Sequence, residues 1–94
     1  MLYAEEYVGI ANVIDGDTII ISGVKIRLHG IDAPEIKQLC VDPYNNKWKC
    51  GISAKISLKN YIANNVIKCE GKKKDRYNRV ISICYMYEQY IQEW

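Results

Sequence analysis

The sequence predicts a mainly β domain of the α+β class, and three observations support that prediction. The chain has 94 residues, of which 49% are hydrophobic, so it can form one small core but not two domains. Short runs rich in valine, isoleucine and threonine are separated by turns that contain glycine or asparagine, a pattern typical of β-strands. One stretch after residue 50 instead has apolar residues at helical spacing, at positions 54, 58, 61 and 62.

Three strands are predicted in the first third of the chain. Residues 3–14 form the first strand, which ends at Asp15-Gly16-Asp17, where glycine allows a turn or a bulge. Residues 18–21 form the second strand, Ser22-Gly23 a tight turn, and residues 24–31 the third strand. The second and third strands are therefore predicted to form a hairpin.

The middle of the chain is predicted to contain a loop and a helix. Residues 36–50 are polar and irregular, as expected of a mobile loop. The helix begins at Gly51 or Ser53 and ends at about Asn65, where asparagine suits a helix terminus.

Two further strands complete the prediction, at residues 66–70 and 80–87, joined by a basic turn at residues 71–78. Residues 88–94 are helix-forming but too few to form a stable helix alone. Three strands, a helix and a two-stranded hairpin follow the order of a five-stranded OB-type barrel with one helix between strands three and four. The alternative is an unspecified α+β domain.

Composition excludes few functions. The formal net charge of +2 is mildly basic and does not by itself identify a protein that binds nucleic acid. No apolar run is long enough to cross a membrane, and the first residues do not form a signal peptide. We expect one monomeric domain, residues 1–94, with no membrane partner.

Four cysteines in so short a chain favour disulfide bonds over a zinc site, because the paired CxxC spacing is missing. Cys40 and Cys50 flank a turn-rich segment whose ends can meet. Cys69 and Cys84 lie opposite each other if the last two strands form a hairpin centred near residues 76–77. We predict these two pairs, with four reduced thiols as the alternative. Disulfides would indicate a secreted or periplasmic location.

Acidic and basic residues lie where strands end. Asp17 and Asp32 follow apolar runs, so that stiff backbone holds their carboxylates, and oxygen ligands of this kind suit Ca²⁺. Arg27 lies between them, and Arg79 comes later in the chain. Carboxylates, a cation and guanidinium forks in one place predict chemistry on a phosphate group.

Three motifs then show a resemblance to a known family. They are Val13-Ile14-Asp15-Gly16-Asp17-Thr18, Arg27-Leu28 with Gly30-Ile31-Asp32-Ala33-Pro34-Glu35, and Asp75-Arg76-Tyr77-Asn78-Arg79. Together, in this order and spacing, they resemble the staphylococcal-nuclease-like, or thermonuclease, family. The resemblance covers nearly the whole chain and implies a calcium-dependent nuclease that hydrolyses phosphodiester bonds of DNA and RNA, with single-stranded or denatured substrates.

The resemblance also implies roles for individual residues. Asp17, Asp32 and the backbone carbonyl of Ala33 match the metal ligands of the family. Glu35 matches the residue that activates or orients the attacking water.

The remaining matches concern the phosphate group. Arg27 and Arg79 match the arginines that clamp the scissile phosphate, and Arg76 and Tyr77 match residues that help to hold the substrate. Asp15 and Thr18 are expected to support the metal ligands without joining them.

The family usually continues through a further helix, so a chain that ends at Trp94 is expected to stop within that helix. The alternative functions are a non-catalytic OB-type module that binds single strands, and a protein-interaction domain.

Overall fold

The computed structural model describes residues 5–31, 33–87 and 89–91, with the side chains of residues 89 and 90 left out. Within these residues the elements follow one another along the chain in the order β1 (Glu5–Ile10), β2 (Asn12–Asp15), β3 (Thr18–Ile21), β4 (Val24–Leu28), β5 (Cys40–Val41), β6 (Lys47–Trp48), α1 (Cys50–Ile62), β7 (Val66–Lys74), β8 (Val80–Met86) and β9 (Gln89–Tyr90). The described part of the chain contains no helix long and apolar enough to cross a membrane.

The main sheet curls back on itself. Its strand order is β1-β7-β8-β4-β3-β2, with β9 beside β8. Only Ala11 separates β1 from β2, although these strands lie at the two ends of that order. A flat sheet could not bring its ends so close, so the strands curve into a half-barrel. This confirms the predicted OB-like fold, with more strands than the five expected.

The predicted first strand is divided at Ala11, because its two halves pair with different neighbours. Residues before Ala11 pair with β7, and residues after it pair with β3. A buried residue at this corner turns the chain from one side of the barrel to the other. Position 11 is occupied by alanine, and neither proline nor glycine stands there to indicate a break in the strand.

The predicted fourth strand is longer than expected, because β7 continues to Lys74 and leaves a short turn before β8. A bulge between Gly71 and Lys73 lets the pairing with β8 resume. Gly71 is needed there, since a Cβ would lie only 2.4 Å from the carbonyl oxygen of Ile81. The basic residues 72–74 therefore belong to a strand rather than to a turn.

Helix α1 packs on the barrel as its apolar spacing predicts. Leu58 and Ile62 are buried, and they join a core of isoleucine side chains from the strands, among them Ile19 and Ile26. The Cys69–Cys84 disulfide lies in the same core, between paired residues of β7 and β8. The second predicted disulfide, Cys40–Cys50, is also present.

Two other segments differ from prediction. The predicted irregular loop 36–50 contains the β5–β6 hairpin, whose turn is organised by the Asp42 carboxylate accepting hydrogen bonds from the N–H groups of Tyr44 and Asn46. At the other end of the chain, Gln89–Tyr90 pairs with β8 as a strand instead of beginning a helix. Residues 88 and 92–94 of that predicted helix lie outside the described residues.

Candidate active site

A cleft of about 450 Å³ opens at one side of the barrel, where the β2–β3 corner meets β4, the segment after β4 and the β7–β8 turn. The structure brings most of the predicted site residues into this cleft. Those that line it are Asp15, Asp17, Thr18, Arg27, Ala33, Glu35, Tyr77 and Arg79.

Asp17 and Arg27 are positioned by the pairing of β3 with β4. Thr18 lies opposite Arg27 in this pair, and the N–H of Leu28 donates to the Asp17 carbonyl at 2.8 Å. Nη2 of Arg27 lies 3.7 Å from Oδ2 of Asp17, and only 8% of the surface of Asp17 is exposed. The guanidinium therefore balances a largely buried carboxylate, and the short backbone contacts keep both groups in place.

Thr18 connects that carboxylate with the second arginine. Its hydroxyl donates to Oδ1 of Asp17 at 2.9 Å and accepts a hydrogen bond from Nη1 of Arg79 at 3.1 Å. Thr18 thus contacts the carboxylate of Asp17, the predicted metal ligand. It also fixes the direction of Arg79, a role that the sequence did not suggest.

Asp75 holds the other end of the Arg79 guanidinium. Its Oδ2 accepts a hydrogen bond from Nε of Arg79 at 2.7 Å, and its Oδ1 accepts from the backbone N–H groups of Tyr77 and Arg79. Partial burial raises the pKa of the Asp75 carboxyl, but the hydrogen bonds from Arg79 and Tyr77 outweigh it and leave the pKa below its ordinary value. Asp75 therefore stays ionised and directs the Nη end of Arg79 towards Thr18.

Tyr77 stands at the mouth of the cleft with 61% of its surface exposed. The guanidinium carbons of Arg76 and Arg79 lie 5.0 and 5.3 Å from the centre of its ring, and Arg76 donates a hydrogen bond to its hydroxyl at 2.9 Å. These distances suit cation–π contacts. Arg76 lies outside the lining of the cleft and touches it through Tyr77.

Glu35 lies on the segment that follows β4, and three contacts hold that segment. Oδ1 of Asp15 accepts the N–H of Ile36 at 3.0 Å, and the carbonyl of Glu35 accepts the N–H of Gln38 at 2.9 Å. Gln38 in turn accepts the N–H of Gly51 at the start of α1. Asp15 therefore positions the chain beside Glu35 in this structure.

The predicted metal site is described in part. Asp32 lies outside the described residues, and among those described no group of three or more acidic, histidine or cysteine side chains could hold a metal ion. The oxygen donors in this part of the cleft include the Asp17 carboxylate, with Ala33 in the same lining. Such oxygen donors fit a hard cation that keeps several water ligands, as Ca²⁺ does.

Residues 25–94 match the family described as staphylococcal nuclease homologue. The chain belongs to the staphylococcal nuclease family. It is also 39% identical over 83 residues to the succinoglycan biosynthesis protein ExoI of Rhizobium meliloti (strain 1021). That match covers 87% of this chain and 44% of the relative, so the chain spans less than half the length of that protein. Staphylococcal nuclease domains are in general hydrolases that bind nucleic acids.

Sequence reasoning did not identify every residue of the cleft. Lys25, Ile36 and Lys37 also line it, and Asp75 organises it from behind. The sequence did indicate the position of Lys25, because it precedes Arg27 by two residues and therefore lies on the same face of β4. The position of Asp75 could also be inferred from the sequence, since an aspartate at the start of a turn accepts a hydrogen bond from the backbone N–H of the second residue after it.

Proposed function

We propose that this staphylococcal nuclease domain is a calcium-dependent phosphodiesterase that acts on single-stranded or denatured DNA and RNA. The observation that carries the proposal is one cleft lined by an aspartate, two arginines and a glutamate: Asp17, Arg27, Arg79 and Glu35. Each of these groups has a separate task in the hydrolysis of a phosphodiester. The family resemblance supplies the choice of cation and substrate.

The two arginines bind the scissile phosphate. Both line the cleft, Arg27 from β4 and Arg79 from the turn that precedes β8. Arg27 contacts Asp17, and Arg79 contacts Thr18, which is itself hydrogen-bonded to Asp17. A guanidinium fork can donate to two phosphate oxygens at once, and the negative charge on those oxygens grows as the nucleophile approaches. Arg27 and Arg79 thus bind the transition state more tightly than the substrate.

Asp17 would hold the cation, together with Asp32 and the carbonyl of Ala33. Bound Ca²⁺ would supply positive charge to a phosphate oxygen. Glu35 lines the same cleft as Arg79 and accepts a proton from water. The water oxygen then forms a bond to phosphorus, the bond to the leaving oxygen breaks, and that oxygen takes a proton from solvent.

We also propose that the protein is located in an oxidising compartment outside the cytoplasm. Both disulfides join buried or partly buried sulfurs and involve all four cysteines of the chain. Disulfides persist in secreted and periplasmic proteins, because cytosolic thiol buffers reduce them elsewhere.

Cleavage of heat-denatured DNA and of RNA, with Ca²⁺ or with a chelator, tests the proposed function. The unsubstituted protein should cleave only with Ca²⁺, and Asp17→Ala should abolish Ca²⁺ binding measured by calorimetry with a nucleotide analogue present. Glu6→Gln is the control, because it also removes one carboxylate but on the outer face of β1, where Glu6 pairs with Lys68. Binding of single strands without any cleavage would instead indicate a non-catalytic module.

A further inference from the structure

A second cavity, of about 320 Å³, opens beside the cleft. Lys25 and Tyr77 border both cavities, so a chain that leaves the cleft past Tyr77 enters the second cavity directly. Its other walls are the β3–β4 turn at Gly23, the end of β7 at Lys74, and Asn78. Of the residues that line this cavity, Tyr77 alone matches a substrate-binding position of the family.

The second cavity is basic. Lys25 and Lys74 both line it with exposed side chains, and neither forms an ion pair with a carboxylate that the structure describes. Lys68 behaves differently, because its ammonium lies 3.3 Å from Glu6 and 3.5 Å from Glu70, which balance its charge. The two cavity lysines therefore remain available to an anion from outside the chain.

The sheet fixes the distance between this basic cavity and the cleft. Lys25 precedes Arg27 by two residues on β4, so the two side chains share a face about 7 Å apart along the strand. Val80, the first residue of β8, pairs with Lys74 of β7 on one side and with Ile26 of β4, the residue after Lys25, on the other. The two lysines thus flank the start of β8. Arg79 is the residue immediately before that strand.

We propose that Lys25 and Lys74 form a second phosphate-binding subsite, which holds a phosphate of the polymer next to the scissile one. The proposal rests on the proposed nuclease function and adds a reason for a preference for longer strands. The step of about 7 Å between Arg27 and Lys25 is comparable with the separation of successive phosphates in an extended single strand. Lysine suits this task, because it acts as a flexible point charge and the second phosphate only has to be held.

Tyr77 lies between the two phosphates in this arrangement. Its exposed ring offers an apolar face to the sugar or base that connects them, a contact that does not depend on base identity. The subsite should therefore increase affinity for any sequence and make binding more sensitive to salt.

Fluorescence anisotropy with labelled thymidine oligonucleotides tests the subsite without turnover, in chelator and at several salt concentrations. The variant Lys25→Ala/Lys74→Ala is compared with the control Lys59→Ala/Lys73→Ala. The control removes the same charge from α1 and from the residue beside Lys74, and neither control lysine is among the residues that line the cleft or the second cavity.

For a hexanucleotide, the plot of log affinity against log salt should become shallower by about 0.7, because the double variant loses the one phosphate that the subsite holds. Affinity for a dinucleotide with a single phosphate should stay within about twofold, because that phosphate occupies the arginines. A salt slope equal to that of the control would overturn the subsite, as would equal loss for both oligonucleotides or no binding by the unsubstituted protein. Failure of the nuclease proposal appears separately, as absence of cleavage with Ca²⁺.

Discussion

Replacement of Gly51 by alanine tests whether the position of Glu35 controls turnover. Gly51 lies in the first turn of α1, where an added Cβ would be 1.7 Å from the carbonyl oxygen of Glu35 and 2.6 Å from its carbonyl carbon. Ordinary contact begins at 3.4 Å, so the two backbones must separate by about 1.7 Å, the difference between these distances. The Cys40–Cys50 disulfide and the hydrogen bond from Gly51 to Gln38 resist that movement.

The expected effects on stability and on rate differ in size. Overpacking costs about 1–3 kcal/mol, and alanine in a helix recovers up to about 1 kcal/mol, so the free energy of unfolding should fall by no more than about 3 kcal/mol. Misplacement of a catalytic group by about 1 Å can lower a rate about 100-fold. We therefore expect Gly51→Ala to fold but to turn over denatured DNA about 100-fold more slowly.

Urea unfolding and initial rates of cleavage measure the two effects. Ser53→Ala is the matched control, because Ser53 is exposed in the same helix, two residues later. If the effect passes through Glu35, then Gly51→Ala combined with Glu35→Gln should be no slower than Glu35→Gln alone. A folded Gly51→Ala protein with unchanged turnover would refute the placement of Glu35 as a rate-controlling group.

Three further perturbations address the arginines, a disulfide and the acid range of stability. Arg27→Lys and Arg79→Lys should each lower turnover by about 100- to 1,000-fold with an unchanged circular dichroism spectrum, because a fork becomes a point charge; near-normal rates would remove that arginine from the site. Cys69→Ala/Cys84→Ala opens a loop of sequence separation 15 and should lower the free energy of unfolding in urea by about 3 kcal/mol, whereas a loss below about 1 kcal/mol would contradict the estimate. The pKa of Asp75 is lowered in the folded state, so its stabilising effect is present above the ordinary aspartate pKa of about 3.9 and is lost as pH falls through the lower folded value. Asp75→Asn should therefore flatten the fall of melting temperature below about pH 4, and equal slopes for the two proteins would disprove this linkage.

Local patterns in the sequence predicted several elements well. The strands β3 and β4 and the turn between them follow from a run of β-branched residues with Ser22-Gly23 at its centre. The pairing of Cys69 with Cys84 followed from a hairpin centred near residues 76–77. In the structure the bulge between Gly71 and Lys73 takes up a one-residue difference between the two arms and keeps the cysteines opposite each other. In each case the deciding interactions join residues that are close in sequence.

The differences between prediction and structure have a common cause. The chain breaks at Ala11 because β1 must pair with β7 and β2 with β3, and neither partner is visible from the residues around position 11. Likewise β7 extends to Lys74 because β8 is present to pair with it across the bulge after Gly71. Long-range pairing therefore overrode the turn-like composition of the basic segment.

The sequence by itself determined the chemical groups of the candidate site and their order. Asp17, Arg27, Glu35 and Arg79 could be selected from motif and residue type alone, since charge, hydrogen-bonding capacity and strand-end position are properties of short segments. Only the tertiary structure decided which of these groups meet. The parallel pairing of β4 with β8 brings Arg27 and Arg79, 52 positions apart in the chain, to one cleft. The same pairing places Lys25 and Lys74 beside them. Such proximity depends on the curvature of the sheet, which is set by the packing of the whole core and has no local signature in the sequence.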